Sequence, residues 1–128
     1  MKKVGFVSAV CVGLLLTSSG AMADATTICA GAAAGNGTAP GSGTAGTHFM
    51  VTGIAPKCSA NVHLMGTDGT GGAWYAVGSV SAKGKNSFAG HTNGGAVAPS
   101  AACGVAGACT AGEATTARDA ANTAAGST

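Results

Sequence analysis

The sequence predicts an all-β protein: a small antiparallel sheet, either a meander or a partly closed sandwich, stapled by disulfides and flanked by flexible Gly/Ala-rich segments. Short runs of β-branched and aromatic residues alternate with turn residues from position 47 onward, which is the pattern of strands joined by tight connections. Four cysteines, Cys29, Cys58, Cys103 and Cys109, follow the N-terminal leader. An even number in a small exported chain reads as a disulfide framework. Large apolar side chains are scarce: beyond residue 23, Ile, Leu, Val and Phe together number eleven. Most of the 46% hydrophobic content is therefore alanine, too thin a core to stand without covalent help.

Residues 1–23 have the three parts of a signal peptide. Lys2 and Lys3 supply the charge, Val4 to Leu16 the apolar run, and Ala21 to Ala23 the small cleavage residues. The run is too short for a hydrocarbon core of roughly 30 Å. Neither Cys11 after Val10 nor Cys29 after Ile28 has the small preceding residue of a lipidation site, so no membrane anchor is expected after cleavage. The address is periplasmic or secreted. From Asp24 on, Lys57, Lys83, Lys85 and Arg118 balance Asp24, Asp68, Glu113 and Asp119. A neutral chain without clustered cations is not built for nucleic acid.

Residues 24–46 are read as a flexible Gly/Ala-rich segment, 47–109 as the disulfide-stabilised β domain and 110–128 as a low-complexity tail. Within the domain, "THFMVTGI" (47–54), "SANVHLM" (59–65), "AWYAVGSVS" (73–81) and "NSFAGH" (86–91) are the expected strands, with a fifth near 95–98. The favoured cysteine pairing is Cys29–Cys58 with Cys103–Cys109, because "CGVAGAC" is short and flexible; two other connectivities remain open.

Side chains alternate faces along a strand. One face then gathers Phe49, Val51, Val62, Leu64, Tyr75, Val77 and Phe88, with Phe49 opposite Leu64, Val51 opposite Val62, Leu64 opposite Tyr75 and Val77 opposite Phe88. That register sets His48 against Met65, Met50 against His63, and Trp74 between Met65 and His91 on the other face. Thioether and imidazole ligands suit Cu(I) or Ag(I), so His48, Met50, His63, Met65 and His91 are a candidate copper or silver site. The simpler reading makes Met50, Met65, Trp74, Ile54 and Val80 a second buried face, since methionine fills core gaps.

No cofactor is expected on that simpler reading. Catalysis has little support: Asp24, Glu113 and Asp119 lie near the ends, and Asp68 in "TDGTGG" reads as turn chemistry. The expectation is a small non-enzymatic exported protein of the bacterial envelope that acts by binding or assembly. Its partner is another envelope protein or a copy of itself, with Trp74 and Tyr75 as an aromatic contact. The alternative is a periplasmic soft-metal binder. N-terminal sequencing of the exported protein should begin at Asp24 with no lipid attached; an intact Met1 or a modified cysteine at the new terminus would overturn this address.

Overall fold

The computed structural model describes residues 24–104 and 107–128; the expected leader, residues 1–23, lies outside the described residues. The elements are β1 (Ala25–Ala30), β2 (Gly35–Asn36), β3 (Lys57–Cys58), β4 (Val62–Asp68), β5 (Tyr75–Ser81), β6 (Asn86–His91), β7 (Gly95–Ala102) and α1 (Ala111–Gly126). Five strands form an antiparallel sheet in the order β1-β4-β5-β6-β7, and β2 pairs with β3 separately. The expected meander is therefore present from β4 to β7. The sheet does not close, and a helix is added to it.

Three features depart from the sequence reading. Residues 25–30, assigned to a flexible segment, form β1, where Thr26, Thr27 and Ile28 supply β-branched side chains. A bulge between Thr27 and Cys29 inserts Ile28, so Ile28 and Cys29 are both buried against strict alternation. Residues 47–54, read as a strand, form none, and only an isolated bridge joins Met50 to Ser42. The edge of β4 that they were expected to occupy is taken by β1. The third departure is the tail, which is helical over Ala111–Gly126.

The register within the meander also shifts while its faces hold. Leu64 lies opposite Ser79, Asp68 opposite Tyr75, and Phe88 opposite Ser79. Leu64 and Tyr75 were expected to face each other, as were Val77 and Phe88. β4 runs on through Gly66, Thr67 and Asp68, so the connection to β5 is a tight turn closed by Gly69 N–H to the Trp74 carbonyl at 2.8 Å. Each displacement is an even number of residues, and period two then leaves every side chain on its predicted face.

The two faces differ in what covers them. Along β5, Ala76, Gly78 and Val80 are buried on the side of α1, whereas Val77, Ser79 and Ser81 on the other side are partly exposed. Beneath the helix, Met65, Val80, Cys109 and Ala114 cluster, joined by Cys103 and Ala111. On the open side, Ile28, Cys29 and Tyr75 cluster with Met50, Cys58, Leu64 and Val77. The favoured pairing is the one formed: Cys29–Cys58 and Cys103–Cys109, with Cα separations of 5.6 and 5.3 Å. Each layer holds one staple.

Alanine, which offers little area to bury, builds the helix contact through proximity. Ala114, Ala117, Ala121 and Ala125 recur at helical spacing and are all buried. A Cβ at Gly78 would collide with the Ala114 carbonyl and the Arg118 amide, so helix backbone lies directly on strand backbone. The helix begins at a capping box: the Thr110 side chain accepts from Glu113 N–H, and the Glu113 carboxylate accepts from Thr110 N–H at 2.6 Å. The Glu113 carboxylate also accepts from Gly104 N–H at 2.6 Å, and these backbone donors hold its pKa below the ordinary value. At the far end Trp74 Nε1–H donates to Asn122 Oδ1 at 2.8 Å, and Asn93 Nδ2 donates to the Ala125 carbonyl at 2.9 Å.

The outer strands of the sheet are β1, which accepts from Thr38 N–H at the Ile28 carbonyl, and β7. β7 is uncharged and almost wholly exposed, but Pro99 stands opposite Phe88 and two register shifts interrupt its pairing with β6. Proline and bulges blunt an edge against further strands. Gly78→Ala should lower stability by about 1–3 kcal/mol, the usual cost of overpacking, read as a fall in the melting temperature of the helical circular dichroism signal. An unchanged melt would show that the helix does not sit this close.

Candidate functional site

On the open side of the sheet, Tyr75 is the central side chain. Its ring lies across Gly66 of the neighbouring strand, where any Cβ would meet the ring edge. Tyr75 N–H donates to Thr92 Oγ1 at 2.9 Å and Thr92 N–H donates back to the Tyr75 carbonyl at 3.0 Å. The residue is 7% exposed, and its hydroxyl is buried with no hydrogen-bond partner. Burial first, and the charge of Asp68 second, raise its pKa from 10.0 to about 12.

The segment from Thr38 to Pro56 arches over this face. Its root is fixed by Thr38 N–H to the Ile28 carbonyl and Gly37 N–H to the Pro56 carbonyl, both 2.9 Å, and by the Cys29–Cys58 disulfide. Its tip is fixed by Asp68. The Asp68 side chain is 1% exposed by residue, the least accessible charged group described. Its Oδ2 accepts from His48 Nδ1 at 3.0 Å and its Oδ1 from Phe49 N–H at 2.8 Å. The expected turn role of Asp68 is thus incomplete: it ends β4, but its carboxylate ties down a distant loop. Two charge-assisted hydrogen bonds compensate the burial of that charge.

Between arch and sheet lies a cavity of about 280 Å³ lined by Ile28, Phe49, Met50, Leu64, Tyr75 and Val77, with Pro40, Ile54, Pro56 and Thr92 around them. The wall is apolar. The one hydroxyl beside it with a described partner, that of Thr92, already accepts from Tyr75 N–H. Large apolar side chains remain exposed on and near its rim: Phe49 at 39%, Ile54 at 53% and, farther along the same sheet face, Phe88 at 41%.

The residues proposed as soft-metal ligands are divided between layers. Met50 packs in the open-side cluster and Met65 is buried in the helix-side cluster. His48 bonds Asp68. His63 lies over Gly31, and His91 lies over Gly95. The pairings of His48 with Met65 and of Met50 with His63 are not made, because residues 47–54 are not a strand of the sheet. The second buried face is likewise only partly assembled: Met65 and Val80 share it, Trp74 reaches the helix, Met50 lies on the opposite side and Ile54 is exposed. Trp74 points to the helix side and Tyr75 to the open side, one ring on each face of the sheet. Cys103, Cys109 and Glu113 are the one metal-compatible cluster among the described residues, and both its sulfurs are bonded in a disulfide.

Sequence reasoning did not find the arch, the cavity or the role of Asp68. A signal for Asp68 was present: it is the sole carboxylate between positions 25 and 112. Among the described residues no helix is long and apolar enough to cross a membrane, and two disulfides accord with an oxidising compartment.

Tyr75 is the single tyrosine of the chain, so its titration can be read directly. Because the folded form holds the phenolic proton more tightly, the resulting stabilisation is complete below the ordinary value of 10.0 and is lost as pH rises through about 12. Tyrosinate absorbance should therefore appear late and together with alkaline loss of stability. A tyrosinate step near the ordinary value in the folded protein would contradict the burial of this ring. Comparison with known proteins finds no family model that matches the chain, and no curated protein or solved structure similar to it.

Proposed function

We propose that this chain is a small exported, non-enzymatic protein that acts by binding, and that its guest is an apolar group held between the open sheet face and the arch. The observation that carries this reading is the cavity of about 280 Å³, open on one side, with an apolar wall and exposed aromatic and aliphatic residues at its rim. Concave apolar sites with few polar groups are the usual form of a small-molecule pocket. A dry apolar cavity of roughly 150 Å³ accommodates benzene; the larger space here suits a guest of about two rings or a short alkyl chain.

The β7 edge supports binding over assembly by strand addition. Pro99 and the bulges of β7 interrupt the row of donors that another strand would need. The soft-metal alternative keeps its chemistry in His63 and His91, whose Nδ1 atoms are buried without partners, but the methionines it requires sit in separate layers.

A neutral fluorescent probe of suitable size, N-phenyl-1-naphthylamine, should bind the oxidised mature protein saturably. Val77→Phe adds volume to the cavity wall without touching the helix side, and should weaken binding about tenfold while leaving the melt within about 1.5 kcal/mol of the parent. Val97→Phe, away from the cavity wall, should leave binding unchanged. Absence of saturable binding, or equal binding by the Val77→Phe protein, would overturn the proposal.

A further inference from the structure

We infer that residues 39–55 are a lid on the apolar cavity and that the Asp68 carboxylate is its latch, so that passage of the guest requires the contacts of Asp68 with His48 and Phe49 to open. The inference rests on the binding role proposed for the cavity and adds its control. Three observations place the latch. Among the described residues, the hydrogen bonds that tie 39–55 to the sheet are those of His48 and Phe49 to Asp68, at 3.0 and 2.8 Å. Phe49, whose amide the latch holds, is itself a wall of the cavity, as are Pro40, Met50 and Ile54 of the same segment. The root of the segment is anchored independently by Cys29–Cys58 and by the pairing of β2 with β3.

The segment is built to move as a piece. Its two limbs are joined by the Ser42–Met50 bridge and by Gly43 N–H to the Met50 carbonyl at 3.1 Å. Its tip carries Gly43 at φ 124° and Gly46 at φ 85°, and no atom lies within 4 Å of where a side chain at either would begin. Only the outer turn of the tip is open: the His48 backbone rests on Gly72 and Met50 packs against the sheet, while the side-chain hydrogen bonds to the sheet converge on Asp68. Opening is chemically balanced, because water can replace the two donors to Asp68 when the tip lifts, whereas a closed lid lacking either donor would leave the buried carboxylate short of a partner. The lid thus has two states, one latched on Asp68 and one lifted with the carboxylate hydrated.

Native-state hydrogen exchange of the full mature chain tests this without any ligand. His48→Ala, which removes one donor and keeps the carboxylate, and Asp68→Asn, which keeps its shape, should each speed exchange of the Phe49 amide and its lid neighbours by about tenfold while β5 and α1 keep the parent's rates. Stopped-flow release of N-phenyl-1-naphthylamine should accelerate in parallel. If Phe49 exchanges no faster in either variant, or if exchange rises equally throughout the fold, the latch is refuted. If the lid amides accelerate but probe release does not, control of passage is refuted. If the unaltered protein binds no probe at all, the binding role fails, and the exchange rates still decide whether Asp68 holds the tip.

Discussion

Helix α1 rests with its backbone on Gly78 in the middle strand of the sheet, and the division of the molecule into two unlike layers follows from that contact. An alanine stripe can bury only small area, roughly 0.8 kcal/mol for each methyl-sized group removed from water. It is effective here because Gly78 lets two backbones meet, so dispersion contacts replace bulk. The layer under the helix therefore needs few large residues, Met65 and Val80 in its centre and Trp74 at its end. The few remaining large side chains are free to gather on the opposite face, where Ile28, Leu64, Tyr75 and Val77 pack beneath the arch.

A core this small leaves the second layer incomplete, and the arch completes it by different means. Covalent and polar ties do there what alanine packing does under the helix. The disulfide holds one end, and a fully buried carboxylate holds the other. Burying Asp68 stabilises only while both donors stay in place, which makes this layer conditional where the helix layer is not.

Much of the meander was legible because period-two alternation is a strong signal: Val62, Leu64, Tyr75, Val77 and Phe88 do share a face. Register was not, since Gly66, Thr67 and Asp68 look like turn residues but extend β4, with Gly66 accommodating the Tyr75 ring. The segment 47–54 has strand composition, yet composition does not say that β1 holds the only available edge of β4, or that Asp68 captures His48 and Phe49. The apparent His/Met convergence followed from treating that segment as a strand. The helix was obscured by its own chemistry: alanine at 114, 117, 121 and 125 carries almost no hydrophobic periodicity, and its partner is a glycine. The cavity arises from the meeting of two segments far apart in sequence and has no local signature.

The bonded cysteines are neighbours in chain order: the first pairs with the second and the third with the fourth, with separations of 29 and 6 residues. For a chain that enters an oxidising compartment N-terminus first, this order has a kinetic value. Cys29 and Cys58 arrive before Cys103 and Cys109, which arrive together. Sequential oxidation favours the native connectivity out of the three that four cysteines permit, which lessens the need for slow thiol–disulfide reshuffling.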